Sequence, residues 1–137
     1  MAALGDTYSN RLVDITFHTA NSTAWTAPPS VWVGLCTAQP SATNMAECTV
    51  SNNYGRVQIT WGSATNGSAA GPSASATFIS ASGTGWGDVK GYILCAASTG
   101  STGSSQYMAY GAVSPTVNVA ANDTVSFAAN AMTMTFA

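Results

Sequence analysis

The residues of this sequence that could take part in catalysis are few and poorly spaced for it. His18 is the only histidine, and Asp14 lies four residues before it, which fits a local hydrogen bond better than a Ser-His-Asp triad. Asp88 and Asp123 occur in turn-like sequence, whereas a glycosidase needs two carboxylates that face each other across a cleft. We therefore predict a non-enzymatic protein that uses no cofactor.

The glycine-rich and cysteine-containing stretches do not indicate a phosphate or metal site. SGTGWG at 82–87 precedes an acidic residue and a predicted strand, whereas a phosphate loop is followed by Lys and a helix. Cys36, Cys48 and Cys95 lack C-x-x-C spacing, and His18 has no evident co-ligand, so we expect no metal site. A Cys36–Cys48 disulfide would close a loop of about a dozen residues, but we favour buried free thiols.

Three aromatic residues near predicted loops are candidates for stacking on sugars. They are Trp25, Tyr54 and Trp86, and a lectin-like domain that binds host glycans would use such rings beside polar groups. We favour another interpretation, in which each ring closes one end of the fold or anchors a protein interface.

The composition of the chain indicates a folded domain with an unusually neutral surface. Only 6% of its 137 residues are charged, against about 25% in soluble domains, while 46% are hydrophobic and 9% aromatic. The net charge of −2 offers no basic surface for nucleic acid or an anionic membrane, so neither is expected as a partner. No apolar run reaches the roughly 18 residues of a membrane span, and the N-terminus lacks the features of a secretory signal.

The hydrophobic pattern predicts one domain over 1–137, with a helix and lead-in arm at 1–30 and a β-sandwich at 31–137. Residues 5–21 have an apolar stripe with helical spacing. From residue 31 the period becomes two, and stretches rich in Gly, Ser and Asn, such as the loop at 62–75, separate the strands. The predicted strands lie in VWVGLC, GRVQITW, SATFIS, VKGYILC, QYMAYGAV, TVNVA, TVSFA and AMTMTF. We therefore predict an all-β fold: an antiparallel β-sandwich, jelly-roll-like, with about eight strands and one short N-terminal helix.

The last twenty residues alternate between apolar and uncharged polar side chains. We predict that the apolar set faces the core: Val117, Val119, Val125, Phe127, Met132, Met134 and Phe136. The polar set consists of Thr116, Asn118, Thr124, Ser126, Thr133 and Thr135. Strands without Lys or Glu are poorly protected against pairing with other chains, and hydroxyl groups are less costly to bury than charges. We therefore expect a symmetric homo-oligomer or a subunit of a larger shell.

Five stretches in the same order resemble a family of small virion proteins of tailed bacteriophages, described as tail-fibre-like and found also among head decoration proteins. The stretches are SNRLVDITF, TAPPSVWVGLCTAQP, NYGRVQITW, WGDVKGYILCAASTG and the closing run from YMAYGAV to MTMTF. The segment Cys95-Ala96-Ala97 departs from the acidic residue expected before that turn. The resemblance implies a non-enzymatic structural protein, located in the virion and assembled in the host cytoplasm.

The resemblance leaves the position on the particle open between head and tail. A compact domain without shaft repeats favours a capsid decoration (cement) protein, forming a trimer and binding the major capsid protein. The alternative is a tail fibre or tail-tip protein. The candidate interface residues are Tyr8, Arg11, Trp25, Trp86, Thr133 and Thr135.

Overall fold

The computed structural model describes residues 2–4, 30–42, 45–48, 51–63, 65–66, 68–79, 81–99 and 107–135. All regular elements of these residues are strands, so the part of the chain that the structure describes is all-β, as predicted. No helix among them is long and apolar enough to cross a membrane. The helix predicted at 5–21 lies outside the described residues, and so does most of the lead-in arm.

Among the described residues, nine strands form three antiparallel sheets. In chain order they are β1 Ala2–Leu4, β2 Val31–Cys36, β3 Val57–Ile59, β4 Ser68–Gly71, β5 Ala76–Thr77, β6 Gly87–Cys95, β7 Tyr107–Val119, β8 Ser126–Phe127 and β9 Met132–Thr135. The largest sheet has five strands in the order β1-β7-β6-β2-β3, and β4-β9 and β5-β8 form two-stranded ribbons. The prediction of an antiparallel architecture is therefore confirmed, whereas this division differs from the paired four-stranded sheets of a jelly roll.

The predicted strands agree with the structure best where the alternation is regular. VWVGLC coincides with β2, and the predicted strands in GRVQITW, VKGYILC and AMTMTF overlap β3, β6 and β9. Two predicted strands on either side of Pro115 are one strand, β7, because proline is tolerated at a bulge or on a sheet edge. β4 lies within the predicted loop at 62–75, where Ser, Ala and Gly give little strand signal.

Both faces of the five-stranded sheet carry buried side chains. One face joins both ribbons in a single core that includes Val33, Leu35, Val89, Leu94, Phe78 and Met132. The opposite face carries a smaller cluster of Cys36, Ile93, Cys95 and Tyr107, with Trp32, Met45 and Tyr110 packed against it. Burial on both faces explains why the central strands are nearly continuous apolar runs.

β7 contains a wide irregularity opposite Lys90. Val89 pairs with Val117 and Gly91 pairs with Ala112, so the four residues of 113–116 stand against one residue of β6. The sequence pattern does not encode such a bulge, because the residues within it still alternate. The bulge turns the second half of β7 outward, where most of its side chains are exposed.

Candidate functional site

The structure places the predicted interface residues in different environments. Trp86 is 8% exposed and belongs to the core, so its ring is not presented to a partner or a sugar. Thr133 is exposed on β9, and Thr135 pairs with Ser68 in the β4–β9 ribbon. Tyr8, Arg11 and Trp25 lie outside the described residues.

Trp86 closes one end of the fold through a cluster of loops. Its ring lies edge-on to Tyr54, with centroids 5.6 Å apart, and its Nε1 donates to the carbonyl of Asn52 at 2.8 Å. The Asn52 side chain donates to the carbonyl of Gly85 at 2.7 Å and to the hydroxyl of Thr84 at 3.1 Å. These bonds join the loops before β3 and β6. Trp86 therefore closes one end of the fold, which is the role that the sequence analysis favoured over stacking on a sugar.

Tyr54, the second candidate for stacking on sugars, is also buried. Its ring stacks on Phe78 with centroids 6.2 Å apart. Its hydroxyl accepts a hydrogen bond from the amide of Leu35 at 2.8 Å and donates to Glu47 at 2.7 Å. Of the three aromatic candidates, the two that the structure describes therefore have structural roles.

Glu47 and Arg56 form an ion pair beneath the surface. The guanidinium donates from Nε to Oε1 at 2.8 Å and from Nη2 to Oε2 at 2.7 Å, a bidentate arrangement. Its third nitrogen donates to the carbonyl of Ala97 at 2.9 Å. The side chains of Arg56 and Glu47 are 3% and 14% exposed. Since water cannot solvate these charges freely, the pair depends on its own hydrogen bonds.

Neighbouring residues are fitted to this ion pair. A methyl group on Gly34 would lie 2.5 Å from Oε1 of Glu47, so glycine leaves the space that the carboxylate occupies. The Arg56 guanidinium carbon lies 5.9 Å from the ring centroid of Tyr107, close enough for a cation–π contact. The hydrogen bond to Glu47 raises the pKa of Arg56 above its ordinary value. The arrangement holds the segment before β3 against the sheet.

The three thiols near this region are free and buried, as predicted. Cys36 and Cys48 belong to clusters on opposite sides of the five-stranded sheet, which explains why they are not bridged. Burial raises the pKa of Cys36 and Cys95 to about 12 and the pKa of Cys48 to about 11. The thiols are therefore protonated at neutral pH and are poor nucleophiles.

The exposed carboxylates of the described strands and turns make local hydrogen bonds. Asp88 accepts from the side-chain amide of Asn118 at 2.8 Å across β6 and β7. Asp123 accepts from the amide of Ala120 at 2.9 Å and so closes the turn between β7 and β8. Among the described ranges, no group of three or more His, Cys, Asp or Glu residues could hold a metal ion.

The exposed strand surfaces carry hydroxyl and amide groups. Thr116, Asn118, Thr124, Ser126 and Thr133 are all exposed, so the predicted outward orientation of these polar side chains is confirmed. The apolar set is only partly confirmed. Val119 and Met132 are buried, and Val125 and Phe127 pack against the core at its margin.

Val117 and Ile79 are large apolar side chains that the structure leaves exposed. Val117 was predicted to face the core but is 43% exposed, although it pairs with buried Val89 where the ladder between β6 and β7 resumes after the bulge. Ile79 is 69% exposed. The sequence analysis did not single out Ile79, although its position next to buried Phe78 in an alternating strand was the available signal.

Comparisons with known proteins identify the family of this chain. A search of curated proteins found no match. One family profile, described as podophage GP4 fiber I protein gp80, matches residues 3–135. This match spans nearly the whole chain and every described strand but the first residue of β1. The chain therefore belongs to the family of podophage GP4 fiber I protein gp80 and is a fibre-type structural protein of a bacteriophage virion.

Proposed function

We propose that this protein is a non-enzymatic subunit of a phage tail fibre, which assembles through contacts between copies of itself. The observation that carries the proposal is the family match over residues 3–135, whose description names a fibre protein. The Thr, Ser and Asn side chains exposed on β7, β8 and β9 support self-assembly, because these residues lose less on burial than charged residues do.

We now favour a function in the tail fibre over one in capsid decoration. The sequence analysis preferred decoration because the chain has no periodic shaft sequence. That argument concerns only the shaft of a fibre, and a compact β domain is equally suited to one of its ends. The family description therefore favours the fibre, and binding to the major capsid protein is no longer the primary proposal.

The number of copies is also part of the proposal. We retain three copies as the expected state, since a closed ring about a symmetry axis buries equivalent surfaces on every subunit. Sedimentation of the purified chain measures this number directly. A mass of one chain at all accessible concentrations contradicts self-assembly.

Imaging of particles tests the location. Antibody-labelled or tagged protein is expected at the tail in electron micrographs, and density over capsomer junctions would instead establish the decoration function.

The variant Thr133→Lys places a charge on the exposed face of β9. We expect it to reduce incorporation into particles at least about tenfold while leaving the fold intact, because a charge buried without a partner is costly. Normal incorporation of Thr133→Lys contradicts a buried role for this face.

A further inference from the structure

The outer face of the β5–β8 ribbon combines one large apolar residue with hydroxyl groups. Along residues 76–79 the side chains alternate strictly, with Ala76 and Phe78 buried and Thr77 and Ile79 exposed. Ile79 is 69% exposed, the highest value among the large hydrophobic residues that the structure describes. A single exposed apolar residue is common, so the argument depends on its surroundings.

The neighbours of Ile79 on this face are uncharged. Thr77 pairs with Ser126, and the amide of Phe78 donates to the carbonyl of Val125 at 2.8 Å, which extends the ladder beyond β5. Continuing the same register places Ile79 opposite Thr124, and both Thr124 and Ser126 are exposed. The face formed by Thr77, Ile79, Thr124 and Ser126, here called the ribbon face, therefore contains three hydroxyl groups and one isoleucine.

The inner side of the same ribbon is firmly anchored. Phe78 is buried, and its ring lies 6.4 Å from that of Phe127. Phe127 in turn packs edge-on against Tyr92 of β6, with centroids 5.7 Å apart. Ile79 is thus held outward by packing on the opposite side of the strand. A rotation of the ribbon that buried Ile79 would expose Phe78.

We propose that the ribbon face is the surface through which one copy of this chain contacts another. The occupant follows from the chemistry of the face. A hydroxyl group both donates and accepts hydrogen bonds, so a Thr and Ser surface is complementary to itself. It carries no charge that would repel its own copy, and it offers no charge to attract an acidic or basic partner. Ile79 supplies the apolar centre that a polar rim surrounds in stable interfaces.

This inference rests on the proposed self-assembly and names the surface that performs it. The test uses sedimentation velocity of the full-length chain and of variants that each add one positive charge. Ile79→Lys and Thr77→Lys alter the ribbon face, and Gln58→Lys adds the same charge at an exposed position of β3. Ile79→Thr keeps a β-branched side chain and removes most of the apolar contact. Near-ultraviolet circular dichroism checks that each variant is folded.

We expect Ile79→Lys and Thr77→Lys to weaken association at least about tenfold, an effect typical of a central interface residue. Ile79→Thr should weaken it less, and Gln58→Lys should associate as the original chain does. If both ribbon-face variants associate normally while the original chain is oligomeric, the ribbon face is not the contact, although self-assembly stands. If the original chain is monomeric throughout, self-assembly itself fails. If Gln58→Lys dissociates equally, the effect is one of net charge and the assignment is overturned.

Discussion

At the scale of single residues, the ion pair of Glu47 and Arg56 shows how a nearly neutral chain uses its few charges. Arg56 is one of the three Lys and Arg residues of the chain, and it forms a buried ion pair. All three donor groups of that guanidinium have partners, two on Glu47 and one on the carbonyl of Ala97. Such pairs stabilise little relative to apolar packing, but removing one partner leaves the other charge buried alone.

The isosteric change Glu47→Gln is therefore expected to lower the free energy of unfolding by about 3 to 5 kcal/mol. It keeps the shape of the side chain and removes the charge that faces Arg56. Urea denaturation measures the loss. Asp88→Asn is the matched control, because that exposed carboxylate accepts a hydrogen bond from the side-chain amide of Asn118 at the surface, and it should change stability by less than about 0.5 kcal/mol. If the two changes lowered the free energy of unfolding equally, the burial of the ion pair would not contribute to the loss.

At the scale of elements, the sequence predicted the positions of strands well, but it did not predict which strands pair or in what register. The alternation in 31–36 located β2 without error, since a side-chain period of two belongs to the strand itself. The bulge at 113–116 and the merging of two predicted strands into β7 depend on contacts with β6, which no local pattern contains. For the same reason the exposure of Val117 could not be predicted, whereas the outward position of Thr116 and Asn118 could.

The candidate surfaces were predictable to a similar extent. The absence of charge in the last strands pointed to a neutral outer face, and the structure confirms that these polar side chains are exposed. Trp86 was an interface candidate because it lies near a predicted loop. The ring of Tyr54 that packs edge-on against it and the carbonyl of Asn52 that accepts its hydrogen bond are both distant in sequence. Ile79 was overlooked because an isoleucine in an alternating strand is usually assigned to the core.

The burial of the three thiols, two of them on β2 and β6, leads to a pH dependence. Cys36, Cys48 and Cys95 have folded pKa values of about 12, 11 and 12, above the ordinary value of 9.0. Since a raised pKa favours the protonated thiol in the folded chain, this stabilisation is complete below about pH 8 and is lost as the pH rises above 9. We expect the free energy of unfolding to fall by about 4 kcal/mol between pH 8 and pH 10, at up to 1.4 kcal/mol per thiol and pH unit.

Urea denaturation across this pH range measures that loss. Cys48→Ala removes one of the three thiols, so the free energy of unfolding of this variant should fall with pH at a slope about one third smaller. The thiols of the folded chain should also resist alkylation at pH 8, whereas all three react in urea. A flat stability profile up to pH 10, or rapid alkylation of the folded chain, would contradict buried thiols.

At the scale of the whole molecule, a charged fraction of 6% limits what electrostatics can contribute to assembly. The ion pair that the described residues contain is buried, where salt screens it weakly. The ribbon face and the exposed face of β9 carry hydroxyl groups, whose hydrogen bonds do not depend on ionic strength. The forces that remain for association are apolar contact and hydrogen bonding, and both persist in salt.

Self-association of this chain is therefore expected to be nearly independent of ionic strength. Between about 0.01 M and about 1 M NaCl the screening length falls from roughly 30 Å to roughly 3 Å, and the association constant should change less than about threefold. Sedimentation of the original chain and of Thr77→Lys over this range provides the comparison. Because Thr77 lies on the ribbon face, the lysines of neighbouring copies would repel each other, so Thr77→Lys should associate poorly at low salt and recover in part at high salt. A strong salt dependence of the original chain would mean that charged groups outside the ribbon face, such as exposed Asp88 and Lys90 of β6, dominate the contact, and it would remove the physical basis for assembly through neutral surfaces.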